Sequence, residues 1–147
     1  MEKIKIGIIT CNRFDNCTGG KCYRAFQKRE GAFAIYQNYD AEIAVNSSCG
    51  GCPGYSIESV PRELIKNNVT HVHLATGMFV GSPPCPNISY FEKFLKERFG
   101  LKIIYGTHPI PQQYFITHNE LKSWEGEFWQ KAIQHILCDE QTRLSYD

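Results

Sequence analysis

The chain has 147 residues, 42% hydrophobic and 21% charged, with a formal net charge of +1. That length suits a single domain over residues 1–147, able to bury about 68–70% of its unfolded surface without staples. Without a basic block, an acidic tail or an apolar run near the roughly 18 residues of a membrane span, neither nucleic acid nor a membrane is expected as a partner.

The start, Met1-Glu2-Lys3-Ile4-Lys5, runs straight into a strand pattern with no signal-peptide core, which predicts a soluble, cytoplasmic protein. Ile4, Ile6, Ile8 and Ile9 form a short apolar run, as in a central strand covered on both faces. It ends at Thr10-Cys11. Residues 12–20 are polar and glycine-bearing, a loop that carries Cys17. Lys21 to Glu30 reads as a short helix with Cys22, Ala25 and Phe26 down one side, stopped at Gly31. Phe33, Ile35 and Tyr36 form an irregular connection.

Glu42 to Ser47 is the second strand, and it runs into Cys49-Gly50-Gly51-Cys52-Pro53-Gly54. Ser59 can cap a helix reaching about Asn67, with Pro61 tolerated in its first turn. His71 to Thr76 is the third strand, followed by the loop Gly81-Ser82-Pro83-Pro84-Cys85-Pro86. Ser89-Tyr90-Phe91-Glu92 has capping-box spacing. Ile88, Phe91, Phe94 and Leu95 give the helical stripe behind it, up to Gly100. Lys102 to Tyr105 is the fourth strand, leading to Gly106-Thr107-His108-Pro109. Thr117-His118-Asn119-Glu120 repeats the capping-box pattern. It opens one last helix with Leu121, Trp124, Phe128, Ala132 and Ile136 on one side.

The order β-α-β-α-β-α-β-α predicts a three-layer αβα fold of the α/β class. A short, mainly parallel four-stranded sheet lies between helices in a flavodoxin- or Rossmann-like layout. Ligands of such sheets bind beyond the carboxyl ends of the strands. Cys11 follows strand one, Cys49 and Cys52 follow strand two, Cys85 follows strand three, and His108 follows strand four. Cys17 and Cys22 flank the start of the first helix. Only Cys138 falls elsewhere.

Seven cysteines is a high count for this length. In a reducing compartment, clustered cysteines are metal ligands or redox groups more often than structural disulfides. Zinc takes four ligands, commonly two from a CxxC knuckle and the rest from remote segments. Cys49 and Cys52 supply the knuckle; Cys11, Cys85 and His108 are the remote candidates. Cys17 and Cys22 are either a second site or helix-start packing groups. An iron–sulfur cluster, also held by four cysteines, is the alternative cofactor. A third possibility is a thiol/disulfide redox or reductase role for Cys49 and Cys52. The CxxC does not open a helix directly after a strand in the thioredoxin manner. A plain binding module using the same edge is a fourth reading. His71 and His73 share a strand face, and His73 is weighed as a core histidine against a site residue. His118 reads as part of a helix cap and Cys138 as a packing group. No phosphate loop, Cys-x₅-Arg loop or Gly-x-Ser-x-Gly elbow is present, and no motif names a catalytic residue.

The ordered set Ile8-Ile9-Thr10-Cys11, Cys17-Thr18-Gly19-Gly20-Lys21-Cys22, Cys49-Gly50-Gly51-Cys52-Pro53-Gly54, His71-Val72-His73-Leu74, Cys85-Pro86 and Gly106-Thr107-His108 resembles the CGGC domain family over about residues 3–109. The resemblance implies a metal-binding domain, zinc first, with site positions Cys11, Cys17, Cys22, Cys49, Cys52, His73, Cys85 and His108. The family pattern has a cysteine where this chain has Gly77. If that cysteine is a ligand elsewhere, the site is thinner here.

Overall fold

A computed structural model of the chain describes residues 2–14 and 19–147. The strands are β1 (Ile4–Thr10), β2 (Ala41–Ser48), β3 (His71–Leu74) and β4 (Lys102–Tyr105). They pair in the order β2-β1-β3-β4, every pair parallel. This is the order of the first four strands of the flavodoxin-like sheet. Parallel neighbours need crossovers, and helices α1 (Gly20–Lys28), α2 (Val60–Lys66) and α3 (Ile88–Phe99) supply them.

β1 shows why the sheet is covered on both sides. Ile6 and Ile8 point to one face and Ile9 to the other, and all three are fully buried. Ile6 and Ile8 pack with Ala25 of α1 and with Phe33 and Tyr36. Ile9 packs with Leu64 of α2 and with Phe91 and Leu95 of α3. The result is a three-layer α/β fold.

The connection after α1 is a 3₁₀ helix, Gly31–Tyr36, that buries Phe33 and Tyr36 and leaves Ile35 exposed. Two expected caps sit differently. α3 begins at Ile88, one residue before Ser89 and after Asn87, so the capping box does not form. Ser59 does precede α2, but its hydroxyl donates to Ser56 O instead of taking a helix N–H.

In place of the expected single last helix stand α4 (Gln112–Leu121), α5 (Glu127–Ala132) and a 3₁₀ turn over Gln134–Ile136, and α6 (Glu140–Leu144) follows. Thr117 lies inside α4, where its hydroxyl bonds Gln113 O one turn back. The break after α4 has a clear cause. Lys122 takes a left-handed turn, and Gly126 precedes α5 at φ 99°, a value that side chains resist. Between them the buried Trp124 turns inward and donates its indole N–H to Phe79 O at 2.9 Å. His118 is not a cap: it is buried, stacks on Trp124, and bonds Val80 O through Nε2. Among the described residues, no helix is long and apolar enough to cross a membrane.

Candidate metal centre

Cys11, Cys49, Cys52 and Cys85 all line one cavity of about 610 Å³. Its wall comes from the loops after β1, β2 and β3, with Phe91 of α3 and Tyr114 and Thr117 of α4. β2 lies on one side of β1 and β3 on the other, so the loops leaving β1 and β3 diverge and open a crevice. That crevice holds the sulfurs.

The backbone reaches for them. The N–H groups of Arg13 and Phe14 serve the half-buried Cys11 sulfur, and the Asn87 N–H serves Cys85. Asn12 donates its N–H to Cys49 Sγ at 3.5 Å. Such donors favour the thiolate. For Cys11 and Cys85 burial outweighs them and pushes both thiols above their ordinary range. The charges of Cys49 and Cys52 push both up further, as expected of sulfurs facing one space. Cys49 is buried and Cys52 exposed.

A second, smaller cavity of about 40 Å³ holds Cys22 and His108. Phe14, Gly77, Val80 and Tyr114 form a wall common to both cavities. Cys22 Sγ lies 3.1 Å from the Thr107 hydroxyl, which accepts the Thr76 N–H. His108 Nδ1 is 2.7 Å from Pro109 O, and the ring stacks on Tyr146. A carbonyl only accepts, so Nδ1 carries the proton and Nε2 keeps its lone pair. Burial drops the His108 pKa to about 4.

His73 belongs to neither cavity. It is fully buried beside Phe33 and Tyr36, with Nδ1 2.8 Å from Gly106 O and Nε2 2.7 Å from the Tyr36 hydroxyl. Cys17 lies outside the described residues. The structure thus brings Cys11, Cys49, Cys52 and Cys85 to one space, puts Cys22 and His108 next door, and keeps His73 apart. Among the described residues, no three Cys, His, Asp or Glu side chains stand close enough together to hold a metal ion as they are. Sequence reasoning missed Arg13, Phe14, Tyr114 and Thr117. Arg13 and Phe14 directly follow Cys11 in the loop after β1, which could have marked them. Tyr114 and Thr117 are three apart on one helix face, but the misplaced capping box hid that helix.

The CGGC domain model matches residues 5–108, which includes the cavity's three cysteine-bearing loops. An uncharacterized protein of Methanocaldococcus jannaschii is 32% identical over 117 residues, spanning 73% of this chain and 88% of that one. No solved structure matches. The chain belongs to the CGGC domain family.

Proposed function

We propose that this protein binds a thiophilic metal ion, zinc in the first place, through Cys11, Cys49, Cys52 and Cys85. The observation that carries the reading is that these four, from three separate loops, line one cavity at the carboxyl edge of the sheet. The donor set fits such an ion: four sulfurs, three of them met by backbone N–H groups. The arrangement is open, so binding draws the loops inward. Cys11 and Cys85 are held as thiols by burial, so loading releases their protons. A bound zinc would supply charge and Lewis acidity; the chain supplies the sulfurs and the N–H groups that steady them. Cys22 and His108, behind the common wall, would steady that ion from a distance or hold a second one; Cys17, outside the described residues, stays a candidate from the sequence alone. His73 is already committed to Tyr36 and Gly106.

Elemental analysis of protein purified without chelator tests this. About one metal per chain is expected, lost in Cys49→Ser and Cys85→Ser and kept in Cys138→Ser. Colourless protein with zinc supports the first choice; visible absorption with iron supports a cluster. Folded wild-type protein without any metal overturns both.

One observation favours a second reading, a thiol redox role for Cys49 and Cys52: one sulfur is buried and the other open to solvent. Oxidation would join them, two protons and two electrons leaving to the oxidant. Thiol counting decides. A reversible loss of two thiols under mild oxidant, abolished by Cys49→Ser, supports the redox role; an unchanged count rules it out.

A further inference from the structure

The sulfur-lined cavity is larger than its sulfurs need. A closed tetrahedral thiolate site, with metal–sulfur bonds of about 2.3 Å, encloses nothing beyond the ion. The observed volume of about 610 Å³ falls instead among small-molecule pockets, which run roughly 300–1,000 Å³. Away from the cysteines the wall is mainly apolar, with Phe14, Met78, Val80, Phe91 and Tyr114 contributing. Ser82, Asn87 and Thr117 add a few polar groups. Among the described lining residues Arg13 alone carries a formal charge, and it is exposed. An apolar wall with few polar groups and one guanidinium is the make-up of a ligand site. The guanidinium selects for a carboxylate, sulfonate or phosphate.

We propose that this cavity binds a small organic anion with an apolar, ring-sized body. The body lies against Phe14, Met78, Phe91 and Tyr114, and the anionic group meets Arg13. The proposal stands on the cavity's volume and lining, not on metal loading.

Two fluorescent probes with one body test it. 1-Anilinonaphthalene-8-sulfonate is anionic; N-phenyl-1-naphthylamine has the same rings without the sulfonate. The purified full chain should bind the sulfonate saturably, one per chain, and about three- to tenfold more tightly than the neutral probe. Arg13→Gln should erase that ratio, and Arg13→Lys should keep part of it. Thr117→Trp, or Ser82→Trp as a second cavity-filling variant, should lose both probes. Near-ultraviolet circular dichroism must stay native, because loosened proteins bind such dyes indiscriminately. Non-saturable binding, equal affinity for the two probes or a ratio that survives Arg13→Gln overturns the proposal. So does undiminished binding in a natively folded filling variant. None of these substitutions removes a sulfur, so metal content measured alongside reads the metal proposal separately.

Discussion

Asn12 donates its backbone N–H to Cys49 Sγ at 3.5 Å, and so ties the loop after β1 to the loop after β2. The tie extends the strand register, in which Thr10 faces Ser48 and Cys49 N–H reaches Thr10 O at 2.9 Å. Cys49 is therefore fixed by the sheet itself. Cys52 stands beyond Gly50-Gly51 and is solvent-exposed.

The four cavity cysteines should consequently react in a fixed order. Under native conditions iodoacetamide should modify Cys52 first and Cys49, only 6% exposed, last. Cys11 and Cys85 should fall between, their rates rising at higher pH than an ordinary thiol's. Burial raises both thiols, and the thiolate is the nucleophile. Peptide mass spectrometry at several times and pH values reads the order. Cys49 reacting as fast as Cys52 would show that the loops are not tied in this way.

What could be read from the residues alone follows from how local each signal is. β4 matches its sequence expectation at both ends and β1 nearly does, because short apolar runs between turn residues are local patterns. The convergence of Cys11, Cys49, Cys52 and Cys85 came from topology: parallel strands send all their carboxyl ends to one edge. His108 was expected at that edge and does follow β4. However, it turns behind Phe14 and Tyr114 into the smaller cavity, and no spacing rule states which way a loop side chain turns. The split of the last helix was hidden for a similar reason. The indole bond from Trp124 to Phe79 O joins positions 45 apart in sequence and overrides the helical stripe.

His73 and His108 should make the fold acid-sensitive. Burial lowers both to about 4, against roughly 6.5 in an unfolded chain. Between those values the unfolded state holds protons that the folded state refuses. Their contribution is therefore complete above about pH 6.5 and is lost as pH falls toward 4. At pH 5 the loss is about 2 kcal/mol per histidine. Urea unfolding at pH 7 and pH 5 checks this: the drop between them should be about 2 kcal/mol smaller in His73→Gln than in wild type. An equal drop would mean that His73 titrates normally in the fold.

Gly54 sets how closely the CGGC loop lies on α3. Its φ is 119°, and a β-carbon added there would stand 2.6 Å from Phe91 Cε1. Gly54→Ala should therefore cost roughly 2–3 kcal/mol, from backbone strain and overpacking together. Because Phe91 and Cys52 line the same cavity, the variant should also bind less metal even where urea curves show it folded. Full stability with full metal content would remove Gly54 from the description of the site.

Gly77 stands on the wall between the two cavities, at the position where the CGGC resemblance implies a cysteine. A β-carbon there would meet Phe14 O at 2.8 Å, so any side chain displaces the loop that carries Cys11 and Arg13. Gly77→Ala and Gly77→Cys share that steric cost, about 1–3 kcal/mol. Only the cysteine adds a sulfur, between the Cys11 group on one side and Cys22 with His108 on the other. Gly77→Cys should then release its metal to a chelator more slowly than wild type, while Gly77→Ala should release it no more slowly. Timed zinc transfer to a chromogenic chelator measures this. Identical release from the two variants would show that a sulfur at position 77 does not reach the ion.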